Sequence, residues 1–355
     1  MVLKSLYIAS TQGSGGKTTI SVGLCLALRR RGLNAGYFKP VGTLAAQSGG
    51  VLLDEDAAFV AELLELDDAS TDICPVVLDE DALHDVLSGS EVDAMNRVAA
   101  AFGRISKGKD IVVCEGLGEI WQGRFLRTSG AEVVRHLDLA TLLVAKFAGA
   151  RLLDDIMYVK DALKDHLLGV IFNMVPESRL ALVETQYARF LERSGVGSYG
   201  AIAQNSRLSA VSVAEIVEAL DGTYVCCEQY GDRLVETYMI GAMSPEHALR
   251  YFQLTPNKVV IVGGDRAEVI LAALDTPTVA VVLTGNYVPS ASVLERAEEN
   301  GVPLVSVDVD TVSAADGLRR LFGRLRVKEP AKLELIATVF EKSVDVDRLV
   351  ADLGA

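Results

Sequence analysis

Ala9-Ser10-Thr11-Gln12-Gly13-Ser14-Gly15-Gly16-Lys17-Thr18-Thr19 is the stretch on which the fold turns. An apolar run, Leu6-Tyr7-Ile8-Ala9, precedes it, and Ile20, Leu24, Leu26 and Leu28 follow with helical spacing. Strand, glycine-rich turn and helix, in that order, build a phosphate-binding loop. Gly13, Gly15 and Gly16 let the backbone turn tightly and aim successive N–H groups at one anion. The helix behind them adds the positive end of its dipole. Lys17 is placed to reach the β- and γ-phosphates, and the Thr18 hydroxyl to sit on Mg²⁺. Such loops usually open with glycine at the position held here by Thr11. The stretch predicts binding of a nucleoside triphosphate.

The chain has 355 residues, half of them hydrophobic, which predicts two domains rather than one core. No apolar run approaches the length of a membrane span, and residues 1–9 read as a first strand, not a secretory signal. The five cysteines, Cys25, Cys74, Cys114, Cys226 and Cys227, show no metal-ligand spacing. Their odd number argues against a disulfide framework, so a cytoplasmic protein is expected. A net charge of −14 disfavours nonspecific binding to nucleic acid or to an anionic membrane. The one basic cluster, Arg29-Arg30-Arg31, precedes Gly32 and reads as a helix terminus, where cations complement the dipole. His84, His136, His166 and His247 are scattered and pair with no nucleophile or metal motif.

Outward from the loop, short β-branched runs alternate with helical segments, the pattern of a mostly parallel α/β sheet with helices on both faces. Strands are expected at Leu6–Ala9, Ala35–Phe38, Ile111–Cys114, Thr141–Ala145, Gly169–Asn173 and Tyr199–Ala203. Helices are expected at 18–31, 55–66, 92–106, 131–136, 151–165 and 178–193. Segment 76–91 is acidic and reads as an irregular surface excursion. Residues 1–205 form this first domain, and 206–221 read as a linker. A smaller α/β domain follows at 222–328, with strands at Val259–Val262, Val279–Leu283 and Leu304–Val307. Its helices are expected at 244–252, 266–274, 290–300 and 313–323, and residues 329–355 form a short helical tail.

Further chemistry collects where the strands should end. Phe38-Lys39-Pro40-Val41-Gly42 puts Lys39 just past the second strand, facing the loop. A second cation there would neutralise a transferring phosphoryl group or hold an anionic intermediate; an exposed strand-end lysine is the simpler alternative. Asp54-Glu55-Asp56 opens a helix, where carboxylates also suit the dipole without further purpose. Ile111-Val112-Val113-Cys114-Glu115-Gly116-Leu117-Gly118 ends an apolar strand in Glu115. A carboxylate at that point is placed to hold Mg²⁺ together with phosphate oxygens, or else serves structure alone. Trp121, a few residues on, reads as a core or interface residue.

The set Thr11, Lys17-Thr18, Phe38-Lys39-Pro40, Asp56 and Glu115-Gly116 resembles dethiobiotin synthetase and the related synthetases for cobyrinate and hydrogenobyrinate. These are P-loop NTPase-type proteins of the class that also holds ATPases of the MinD and ParA type. Gln12 stands where that latter branch carries a signature lysine. The resemblance covers residues 1–205 and implies ATP and Mg²⁺ as ligands. It implies Thr18, Asp56 and Glu115 as Mg²⁺ ligands, with Asp54 as the alternative to Asp56. Lys17 and Lys39 would contact phosphates as the catalytic pair. Thr11, Gln12, Gly13, Ser14, Gly15, Gly16, Lys17, Thr18 and Thr19 would cradle the nucleotide. Asn173, in Gly169-Val170-Ile171-Phe172-Asn173, would meet the adenine base, and a homodimer is implied.

In the second domain, Val259-Val260-Ile261-Val262-Gly263-Gly264-Asp265-Arg266, Val282-Leu283-Thr284-Gly285, Gly301–Val307 and Asp310-Thr311 resemble the DRTGG domain. A dethiobiotin-synthetase-like domain followed by a DRTGG domain is the N-terminal, regulatory part of long phosphotransacetylases. It also occurs as a free-standing, phosphotransacetylase-like protein. With the chain ending at residue 355, no room remains for the acetyl-transferring domain, so acetyl phosphate synthesis is not expected. The Gly263–Arg266 turn would either receive an anion or metabolite, or simply join strand to helix with Asp265 as cap.

Two functions are compatible with these features. One is a nucleotide-responsive regulator, with a small-molecule effector or partner enzyme acting through the DRTGG domain. The alternative is an ATP-dependent carboxylate-activating synthetase of unknown substrate. Val41–Gly50 does not match a diaminopelargonate site, which sets dethiobiotin synthesis aside.

Overall fold

The computed structural model describes residues 4–13, 15–48, 50–90, 93–208, 210–322 and 330–354; Ser14 of the loop lies outside the described residues. The chain divides into two units, Met1–Gln204 with Val327–Ala355, and Asn205–Arg326.

The first unit is built on six parallel strands: β1 (Lys4–Ser10), β2 (Ala35–Phe38), β3 (Ile111–Glu115), β4 (Ala140–Lys146), β5 (Leu167–Val175) and β6 (Gly197–Ala203). Their order across the sheet is β6-β5-β4-β1-β3-β2. Each was expected from an apolar run, and the observed strands reach up to two residues further. Leu6 to Ala9 and Ile111 to Cys114 are buried without a break. Helices cover both faces, so the sequence runs apolar where a half-exposed strand would alternate. β1 lies between β3 and β4, where the connection changes side, and this opens a crevice at the carboxyl ends. In register, Ile8 of β1 sits beside Glu115 of β3.

Helix α1 (Lys17–Arg30) follows the loop, and nine of its fourteen residues are buried. The tail explains so much burial. Helices Pro330–Ser343 and Val346–Leu353 return to this unit, and the first of them packs along α1. Phe340 presses on Gly23 so closely that a Cβ there would come within 2.8 Å of its ring. The arginine cluster is therefore more than a helix terminus. Arg30 pairs with Glu334 at 3.2 Å, and Arg31 pairs with Glu341 at 2.8 Å and with Asp347 at 2.6 Å.

Between β2 and β3 the excursion is ordered, not irregular. Val76–Val77 pairs with Val41–Gly42, and Asp79 caps a helix over Glu80–Leu87 by accepting from the Ala82 N–H. Ala45–Ser48 and Val51–Asp54 form an antiparallel pair that was not anticipated; it ends in Asp54, the cap of helix α2 (Glu55–Leu63). The helix expected over 178–193 is broken by a π turn at Val183–Tyr187.

The second unit holds β7 (Thr223–Cys226), β8 (Thr237–Ile240), β9 (Lys258–Gly263), β10 (Thr278–Thr284) and β11 (Leu304–Val307), ordered β7-β11-β10-β9-β8. All neighbours are parallel except β7 against β11. The expected linker is corrected here. Residues 206–221 contain a strand, Val211–Ser212, and a helix, Val213–Ala219, whose capping box joins Ser212 and Glu215. Val211, Val213, Ile216 and Leu220 share one core with Val259, Ile261 and Val305. Among the described residues no helix is long and apolar enough to cross a membrane.

Candidate functional site

The loop between β1 and α1 takes its shape from a residue the sequence did not flag. The Ser10 hydroxyl donates to the Gln12 carbonyl at 3.0 Å, and the Gln12 N–H points back to Ser10 Oγ at 3.3 Å. Gly15 must lack a side chain because a Cβ would stand 2.6 Å from that hydroxyl. Gly16 caps α1 in the left-handed region, at φ 84°, where only glycine rests without strain. Its missing Cβ also makes room for Asn173, whose Nδ2 would lie 2.3 Å from it. Asn173, at the end of β5, donates from Nδ2 to the Gly15 carbonyl at 2.9 Å. The residue expected at the adenine base therefore spends one amide hydrogen bracing the loop.

No side chain caps α1. Among the described residues, the N–H groups of Lys17, Thr18 and Thr19 find no acceptor within the chain. Lys17 is buried and folds back to donate from Nζ to the Gly118 carbonyl at 2.6 Å. Burial lowers its pKa, with Glu115 working in the opposite direction. A helix N-terminus with open donors beside a lysine resting on a backbone carbonyl fits a polyphosphate.

Glu115 is buried at the tip of β3 and takes two hydrogen bonds. Thr18 Oγ1 donates to Oε1 at 2.6 Å and Tyr37 OH donates to Oε2 at 2.9 Å. Burial pushes its carboxyl above the usual carboxylate range, while Lys39 and the Thr18 hydrogen bond pull the other way. The adjoining hydroxyl and carboxylate fit a hard cation that completes its shell with phosphate oxygens and water. Among the described residues no three His, Cys, Asp or Glu side chains converge as a metal cage.

Lys39 and the acidic pair after it separate into distinct tasks. Lys39 Nζ lies 2.6 Å from Asp54 Oδ1 and 3.5 Å from Asp56 Oδ2. Asp54 is fully engaged: Oδ1 also accepts from the Ala57 N–H, and Oδ2 accepts from the N–H groups of Thr43 and Leu44. A Cβ on Gly42 would fall 2.4 Å from Asp54 Oδ2, so that glycine exists to admit the carboxylate. Burial works against the Lys39 ammonium, but Glu115, Asp54 and Asp56 outweigh it and hold its pKa above the ordinary value. Asp54 is thereby engaged by Lys39 and by three backbone N–H groups, whereas the Asp56 side chain is partly exposed beside Lys39.

At the matching edge of the second unit the groups are spent on the fold. Arg266 donates to the carbonyls of Gly241 and Met243, at 2.5 and 2.8 Å. It also occupies the cap position of helix Ala267–Leu274, so Asp265 is not the cap. Thr284 and Thr311 share a hydrogen bond at 3.0 Å. Asp310 accepts from the N–H groups of Val312 and Ser313 at the start of helix Thr311–Phe322.

A parallel sheet with a glycine loop at its switch point, open helix N–H groups and a lysine behind them defines a P-loop NTPase domain. A family model described as an AAA domain (AAA_26) matches residues 4–213, and a DRTGG domain model matches 215–321. The chain belongs to that AAA_26 P-loop family and carries a DRTGG domain. It is similar to phosphate acetyltransferase of Synechocystis, 24% identical over 98% of this chain and 51% of that protein. The dethiobiotin synthetase BioD of Caldicellulosiruptor saccharolyticus is 34% identical over 118 residues, 33% of this chain and 49% of that one. The chain thus spans about half the length of the curated relatives it matches. Among solved structures, the CBS and DRTGG domains of the Clostridium perfringens pyrophosphatase regulatory region, complexed with the activator diadenosine tetraphosphate, align with a TM-score of 0.30. Identity is 18%, over 47% of this chain and 80% of that chain, a likeness too slight to bear on function.

Proposed function

We propose that the first unit binds ATP with Mg²⁺ and that the protein is a nucleotide-responsive regulator related to the N-terminal region of phosphotransacetylases. The observation that carries nucleotide binding is the start of α1, where three consecutive N–H groups lack an acceptor among the described residues and Lys17 rests on a carbonyl it can exchange for phosphate. Thr18 and Glu115 would hold the cation, with Asp56 nearby; the metal would supply charge neutralisation between the phosphates and these carboxylates. Gln12, Gly13, Gly15, Gly16 and Thr19 would wrap the phosphates, with Thr11 buried beneath them.

The regulator reading is favoured over the synthetase by Lys39. Its ammonium is buried and already paired with Asp54 and Asp56. Asn173 is read as a brace on the loop, with the base as its further contact. The family resemblance adds a homodimer, which light scattering checks. The five cysteines are free, which suits a reducing cytoplasm.

Calorimetry of ATP binding with Mg²⁺, beside phosphate release, tests this reading. The expected result is binding with negligible turnover, weakened at least about 100-fold in Lys17→Ala, the scale of two or more lost charge-assisted hydrogen bonds. Turnover near or above roughly one per second, lost in Lys17→Ala and Lys39→Ala, would instead establish the synthetase. No binding by the wild type would overturn the nucleotide site itself.

A further inference from the structure

One buried group at the site has no assigned task. Tyr37 lies in β2, fully buried, two residues before Lys39, which follows the end of the strand. Its hydroxyl donates to Glu115 Oε2 at 2.9 Å across 78 residues of chain. That leaves Oε1, the oxygen already against Thr18, as the one turned to the loop. In this pair the phenol is the donor and the carboxylate oxygen the acceptor. β2 and β3 are paired along Ala35–Phe38, which fixes the tyrosine ring relative to the carboxylate.

We infer that Tyr37 is a positioning residue for the metal: it pins Glu115 in a single orientation, so that the carboxylate offers one oxygen to a divalent cation shared with Thr18. This rests on the Mg²⁺–ATP reading above. A carboxylate free to rotate would meet the cation in several poses and lose affinity in proportion. Partners of this outer kind are worth about 10- to 100-fold in metal affinity.

The test is ATP affinity by calorimetry, with chelator and then across a Mg²⁺ titration, for wild type, Tyr37→Phe, Glu115→Gln and the double variant. ATP affinity in chelator serves as the internal control, and melting of the unliganded proteins reports the fold. The expected result is that the Mg²⁺ concentration for half-maximal tightening rises about 10-fold in Tyr37→Phe. Glu115→Gln should abolish most of the tightening, and the double variant should lose no more than Glu115→Gln alone. Unchanged Mg²⁺ dependence in Tyr37→Phe, with Glu115→Gln defective, overturns the role of Tyr37 while sparing the site. Failure of Tyr37→Phe to fold also overturns it, because the tyrosine would then serve folding. If Glu115→Gln keeps full Mg²⁺ dependence, or the wild type binds no ATP, the nucleotide site reading fails and the inference falls with it.

Discussion

At the carboxyl edge of the first sheet, Lys17, Lys39, Asp54 and Glu115 are all buried, and the amides that start α1 have no acceptor among the described residues. At the same edge of the second sheet stand Gly263-Gly264 and Thr284-Gly285, turns of similar composition, yet Arg266, Thr284 and Asp310 are each consumed by neighbouring backbone or hydroxyl groups. A glycine turn at a strand end is therefore a poor guide to chemistry. Buried charge is the better one, because desolvating an ion costs several kcal/mol and persists only where partners or ligands compensate it. In the second unit the buried charge lies at the opposite end of the sheet. Lys258, the first residue of β9, is fully buried, donates to Thr276 Oγ1 at 3.1 Å and stands 5.7 Å from the Phe252 ring, with no carboxylate partner among the described residues.

The contrast can be broken most directly at Asp54. Asp54→Ala strips Lys39 of its nearest partner and leaves three backbone N–H groups without an acceptor. Breaking a buried pair in this way is expected to destabilise the first unit by about 3–5 kcal/mol, read by urea unfolding. A loss below about 1 kcal/mol would mean that the charges at this edge do not depend on one another.

Lys258 sharpens the second side, through pH. Burial lowers its pKa to about 8. An unfolded lysine holds its proton to about pH 10.4, so between these values the unfolded chain binds more protons and stability rises with pH. Below pH 8 both states are protonated, and the buried charge weighs on the fold in full. Lys258→Met should therefore stabilise the second unit at pH 7 by about 1–3 kcal/mol, with the gain shrinking as pH climbs from 8 to 10. A gain that does not change with pH would show that packing, not charge, is responsible.

The smallest effect concerns Asp310. If its role is to cap a helix, Asp310→Ala costs about 1 kcal/mol of stability and changes no ligand binding. An altered response to nucleotides would show instead that this edge has chemistry of its own.

Much of the fold was legible in residue order. Leu6–Ala9 and Ile111–Cys114 could be read as strands because burial on both faces leaves no polar alternation to mistake for anything else. The 206–221 segment was misread, although Val213, Ile216 and Leu220 carry helical spacing, because its polar flanks resemble a linker. At the candidate site, Lys17, Thr18 and Glu115 stand out by type and position, and the structure joins Thr18 to Glu115 and Lys17 to Gly118. Ser10 and Tyr37 do not stand out, since a serine in a turn or a tyrosine in a strand is ordinary until its partner is known. Asp54 and Asp56, two residues apart in one acidic triplet, could not be told apart at all.

By itself the sequence determined the alternation of strands and helices and the nature of the loop, because periodicity and the backbone freedom of glycine act over a few residues. Tertiary structure alone assigned Tyr37 to Glu115 across 78 residues, Thr18 to the same carboxylate across 97, and Lys17 to Gly118 across 101. It also separated Asp54 from Asp56 by enclosing the first among four donors. A side chain's role follows from which groups burial deprives of water around it, and only the packed chain sets that.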